Sequence, residues 1–137
     1  MKTTSVAACG VLAGLLGSTI FACAANAAVV ISSGETTNIS CSGGMCAPTA
    51  KDAVLNVGDL ETLLASGDVE ITTTGAGVQA VDVRVVDSLT WSSTGTLALD
   101  AYKSVAVDAA VSVVGAGGLS LITNDGGSNG TLSFGKK

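Results

Sequence analysis

The sequence predicts an all-β fold, a β-helix in which short rungs stack along one axis, and three observations point there. Apolar and polar residues alternate with period two in at least seven short runs after Val69. Gly, Asp, Asn and Ser separate these runs, so the chain bends after every few extended residues. Similar segments also recur. TLALD begins at Thr96 and GLSLI at Gly118, 22 residues further on, while SGDVEI and DSLTW lie about 20 apart. A β-sandwich is the alternative that strands of this kind allow.

Residues 1–28 read as an export leader. Lys2 supplies a positive start, residues 6–25 are small and apolar, and Ala25-Asn26-Ala27 is an A-x-A-like cleavage site. Gly10, Gly14, Gly17 and Ser18 interrupt the apolar run, which argues against a membrane span. A lipoprotein reading would use Cys23, but Phe21 stands where a small residue is usual. The expected location is outside the cell or on its surface after Sec-type export, with the outer membrane and periplasm as the other compartments on that route.

With Lys2 removed, five basic residues face eleven acidic ones, a net charge of −6. Such a surface repels nucleic acid and anionic membrane, so neither is an expected partner. Trp91, Tyr102 and Phe134 are the aromatic residues after the leader, few for a globule of this size. Thin stacked layers of Val, Leu, Ala and Gly suit this composition better.

Residues 29–58 form a β-rich lead-in, with VVISS, TTNIS and AVLNV separated by Gly, a cysteine turn and Pro48. Cys41 and Cys46 bracket Ser-Gly-Gly-Met. In an oxidising compartment this pair reads as a local disulfide, and without histidine or a second cysteine pair a zinc site lacks ligands. A short helix is expected over residues 59–66, with Asp59 as N-cap, Leu60, Leu63 and Leu64 on one face, and Gly67 as its end. The β-helix rungs are expected over residues 59–137, this helix at their start. Val69 and Ile71 open the alternation, followed by Val81, Val83 and Val85, then Leu89 and Trp91, then Leu97 and Leu99. Val105 and Val107, Val111 and Val113, Leu119 and Leu121, and Leu132 and Phe134 continue it. The inward register places Trp91 in the core, and the turns leave Tyr102 at an exposed corner.

Two glycine runs, in VSVVGAGGLSL and VEITTTGAGVQA, imitate the phosphate-binding turn of a dinucleotide site. That turn works by opening a helix whose N-terminus faces the pyrophosphate. Here strand-like alternation follows both runs, so the glycines read as corners of a coil.

The segment SGDVEITTTG followed by VDSLTWSSTGTLALDAYKSVAVDAAVSVVGAGGLSLITNDGG resembles the repeat rungs of secreted filamentous-haemagglutinin-like proteins of Gram-negative bacteria. The similarity extends over residues 60–134. Such proteins leave the cell by two-partner secretion or as autotransporter-type passengers. The resemblance implies a right-handed parallel β-helix, export across both membranes, and adhesion to host-surface protein or carbohydrate. It also implies an outer-membrane transporter as partner, although the NPNG motif that such transporters read is missing.

Catalysis is not expected. Histidine is absent, which removes a Ser/His pair, and Ser133-Phe-Gly-Lys136 matches SxxK only at the chain end. The alternative is a polysaccharide-acting β-helix enzyme that uses Asp82, Asp100 and Arg84, with calcium. A second alternative is a non-functional remnant of a longer exoprotein. Neither cofactor nor metal is otherwise expected. The candidate contact surface is the polar loop at residues 123–130, with Thr123, Asn124, Asp125, Ser128 and Asn129, together with Tyr102.

Overall fold

The computed structural model describes residues 27–135, so the expected leader lies outside the described residues except for its last two positions. In chain order the elements begin with strands β1 (Ala28–Ser32), β2 (Ile39–Ser42), β3 (Met45–Pro48) and β4 (Ala53–Asn56), then helix α1 (Val57–Ser66). Next come β5 (Val69–Thr72), β6 (Thr74–Gly75), β7 (Val78–Gln79), β8 (Asp82–Val85) and β9 (Leu89–Trp91). The last are β10 (Thr96–Asp100), β11 (Val105–Val107), β12 (Val111–Val113), β13 (Gly118–Ile122) and β14 (Leu132–Phe134).

These strands wind into a β-solenoid of about four turns. Each complete turn has three sides. One side is a five-stranded sheet in the order β13-β10-β5-β3-β2, and the second is β14-β11-β8-β1-β4. The third pairs β9 with β12. Pairing between turns is parallel and in register, so like residues stack. Val69, Leu97 and Leu119 form one column, and Ile71, Leu99 and Leu121 another. Ala53, Val29, Val83, Val105 and Leu132 form a third; Leu55, Ile31, Val85, Val107 and Phe134 form a fourth. On the third side Leu89 lies on Val111 and Trp91 on Val113. A rung cannot cover its own apolar side, and each aliphatic residue buried between neighbours contributes about 1.5–3 kcal/mol.

The 22-residue recurrence is structural, because Thr96 pairs with Gly118 and Leu97 with Leu119. The SGDVEI and DSLTW recurrence is not. Val69 pairs with Leu97, whereas Leu89 lies on the third side and pairs with Val111. The glycine runs are corners. A Cβ on Gly117 would collide with the Gly95 carbonyl and lie 2.9 Å from Trp91 Nε1, so close stacking of two turns demands glycine there. Gly77, at φ 72°, closes the antiparallel β6–β7 hairpin.

The first described strand is built into the stack. β1 runs between β4 and β8 as an interior strand. Ala28 opens that strand, and Ala27 O accepts hydrogen bonds from Val81 N at 2.8 Å and Asp82 N at 3.2 Å. Ala27 and Ala28 are both held against β8 in this way.

The helix also differs from expectation. It starts at Val57, and its cap is Asn56 rather than Asp59. Asn56 Oδ1 accepts from Gly58 N at 2.8 Å and Asp59 N at 3.1 Å, while its Nδ2 donates to the carbonyls of Ser33 and Gly34. Asp59 instead accepts from the Thr36 hydroxyl. Leu60 and Leu64 are wholly buried. The helix stands against β9, where a further third-side strand would otherwise lie. Glu61 Oε2 accepts from Thr90 N at 2.9 Å, and Ser93 Oγ donates to Leu64 O.

The antiparallel β2–β3 pair closes the neighbouring sheet at the same end. Cys41 and Cys46 face each other across it and are joined by a disulfide. An antiparallel bridge between Thr37 and Val54 covers β4. One end of the solenoid is thus sealed. No helix among the described residues is long and apolar enough to cross a membrane.

Candidate functional site

The corner after β13 is where the coil departs from its own period. Val83 pairs with Val105, 22 residues on, but Val105 pairs with Leu132, 27 residues on. The five additional residues enlarge the corner that contains residues 123–130. It is held firmly. Asn124 N donates to Lys103 O, Asp125 N to Ala101 O and Gly127 N to Tyr102 O, each at 3.0 Å. Asn124 Oδ1 accepts from Gly130 N at 2.7 Å, and Thr131 N donates to Ser104 Oγ at 2.9 Å. Asn124 and Asn129 take left-handed backbone angles, φ 60° and 62°, which asparagine tolerates better than most residues.

Thr123, Asn124, Asp125, Ser128, Asn129 and Tyr102 therefore share one corner. Asn124, Asp125, Ser128 and Asn129 are exposed, and Thr123 is half-buried. Tyr102 is at a corner, as expected, but is less open than expected. It is half-buried, and a Cβ on Gly126 or Gly127 would lie within 3.0 Å of its ring. The ring supports the loop from beneath, and the two glycines let the backbone settle on it. Trp91, by contrast, is 4% exposed, with Nε1 donating to Gly95 O at 2.8 Å.

The acids serve mainly as struts between turns. Asp68 Oδ1 accepts from Thr96 N at 2.8 Å, Asp82 Oδ1 from Ser104 N at 3.1 Å, and Asp87 Oδ2 from Ser33 N at 2.7 Å. Arg84 and Asp82 belong to β8, whereas Asp100 ends β10 in the other large sheet. The carboxyl neighbours of Asp100 are Asp125 and Glu70, not Asp82. Among the described residues no group of three His, Cys, Asp or Glu side chains is placed to hold a metal ion.

The cluster of Glu70, Asp100 and Asp125 escaped the sequence reading. Burial pushes the Asp100 carboxyl up to about 7, and Asp125 and Glu70, through hydrogen bonding and like charge, push the same way. Asp100 Oδ1 is shielded from solvent and no donor among the described residues faces it. A proton of its own, shared with a neighbouring carboxylate, satisfies that arrangement. The available signal was Glu70 and Asp100 on the outward register of strands that pair.

Two of the surface cavities are lined wholly by described residues. One of about 320 Å³ lies between α1 and the cysteine hairpin, lined by Thr36, Ile39, Cys41, Leu55, Asp59, Thr62 and Leu63. Asp59, its charged group, is already engaged by Thr36. The other, about 260 Å³, opens at the end of the last turn. No protein-family model matches the chain, and no curated protein or solved structure matches it either.

Proposed function

We propose that this chain is a secreted or cell-surface adhesive protein of the filamentous-haemagglutinin type, a right-handed β-helix that presents a contact loop. The observation that carries the reading is the enlarged corner at residues 123–130, ordered by hydrogen bonds to residues 101–104 of the preceding turn. A loop already fixed on a rigid stack loses little conformational freedom when it binds. Its exposed groups are a carboxylate, a hydroxyl and amides, from Asp125, Ser128, Asn124 and Asn129. These suit hydroxyl-rich carbohydrate or the polar surface of a host protein. The resemblance of residues 60–134 to haemagglutinin rungs supports the same reading, and export through the leader would deliver the loop to that surface.

The test uses the purified chain on a glycan array and on fixed animal cells. Binding to a defined subset of glycans or to the cells is expected. Replacing Asp125 and Ser128 together by alanine, which leaves the Asn124 and Tyr102 supports in place, should weaken it by roughly tenfold or more. Absence of binding to any glycan and to cells would overturn the proposal.

A further inference from the structure

We propose that Asn129 is a site of self-modification, converted to aspartate and isoaspartate through attack by the Gly130 nitrogen, and that Asn124 sets the rate. Asn129 is the one asparagine in the sequence that precedes glycine. Asn26, Asn38, Asn56 and Asn124 precede Ala27, Ile39, Val57 and Asp125. A glycine nitrogen approaches the neighbouring side chain freely, because no Cβ stands in the way.

The fold itself enforces this pair. Asn129 takes φ 62°, a left-handed angle that asparagine tolerates and β-branched residues do not. Gly130 lies so close to the preceding turn that a Cβ there would collide with the Lys103 carbonyl. Neither residue is therefore replaced by a slower-reacting one without disturbing the corner. Asn129 is also exposed, so water reaches it. The contacts that set this geometry lie within the loop or run to Lys103 and Ser104 in the turn beneath.

Asn124 is the brake. Its Oδ1 accepts from Gly130 N at 2.7 Å, and its own backbone is fixed by donation from Asn124 N to Lys103 O at 3.0 Å. The nitrogen that must attack thus keeps its proton engaged, and the reaction waits for the loop to open locally. In the opened loop hydroxide removes the Gly130 amide proton. The nitrogen then bonds to Asn129 Cγ, the Cγ–Nδ2 bond breaks, and the departing nitrogen takes a proton from water and leaves as ammonia, which restores the hydroxide. Water opens the cyclic imide at either carbonyl, giving aspartate or its β-linked isomer. Each event adds a negative charge to the loop that already exposes Asp125. The β-linked product also lengthens the backbone where it must pass Lys103. This chemistry holds whatever the loop at residues 123–130 binds.

Tandem mass spectrometry of the full chain, proteolysed after incubation at mildly alkaline pH, tests the proposal. The mass gain of amide-to-acid conversion is expected at Asn129 ahead of Asn38, Asn56 and Asn124, and more slowly in the folded chain than in guanidinium. Asn124→Gly keeps the left-handed backbone but removes the acceptor, and should speed conversion by roughly fivefold or more with an unchanged circular dichroism spectrum. Asn124→Asp keeps an acceptor oxygen and should stay near the parent rate. The folded and unfolded parent chains supply the comparison if a variant misfolds. An intact Asn129, equal rates in the folded and unfolded chains, no acceleration in a folded Asn124→Gly, or equal acceleration in Asn124→Asp would each overturn it.

Discussion

At Asp100 a carboxyl group is pressed against two others while one of its oxygens is closed off from water. Partial burial first, and then Asp125 and Glu70, raise its pKa from 3.8 to about 7. The folded chain thus holds this proton more tightly than the unfolded chain. The group favours folding most at low pH, and that contribution declines as the unfolded form ionises between about pH 4 and about pH 7, then stays constant. Asp100→Asn removes the titration. The melting temperature of the variant minus that of the parent should therefore climb across this interval and level off above it. Thermal melts followed by circular dichroism at stepped pH check this, and a flat difference would refute the shared proton. The other acids act differently. Asp68, Asp82 and Asp87 accept single backbone N–H groups from other turns, and each acts as a local strut.

At the scale of elements, α1 is too short to persist alone, since isolated helices of its length are marginal in water. Leu60 and Leu64, buried beneath it, and its cap hold it on the stack. Asn56 is a junction as well as a cap, because it also anchors Ser33 and Gly34. Asn56→Ala is expected to cost about 1–2 kcal/mol. Asp59→Ala should cost less, because Asp59 holds Thr36 and not the helix end. Denaturant midpoints of the two variants give the order directly. The middle strands of the two large sheets, such as β5, β8 and β10, each contribute two buried residues and depend on the turns above and below for that burial.

At the scale of the whole molecule, stability should fall along the axis of the described residues, from the turns beside α1 to the turn of β12, β13 and β14. Leu99 and Leu119 have the same chemistry and lie on the paired strands β10 and β13, yet Leu99 is 1% exposed and Leu119 38%. Leu99→Ala removes packing on both sides and should cost about 2–5 kcal/mol. Leu119→Ala should cost less than about 1 kcal/mol. Urea unfolding measures both, and equal losses would mean that the last turn is as firmly held as the middle ones. The rigid body thus created is what allows an enlarged corner to be held still without a core of its own.

Period-two alternation, the 22-residue step of TLALD and GLSLI, and the glycine corners were legible because each is encoded in residues close together in the chain. A coil of short strands follows from them, as does the candidate loop, whose Asn and Gly residues announce a turn. What tertiary structure alone decided are pairings between distant segments. Nothing local in Ala28–Ser32 says that it runs between residues 53–56 and 82–85. Nor does DSLTW reveal that its strand lies on a different side from SGDVEI. The cap passed from Asp59 to Asn56 because Thr36, Ser33 and Gly34 converge there, and Tyr102 became a support because the loop folds back over it. Sequence period determines which way side chains point along a strand. Which strands become neighbours is settled when buried columns close and distant backbone groups find their partners.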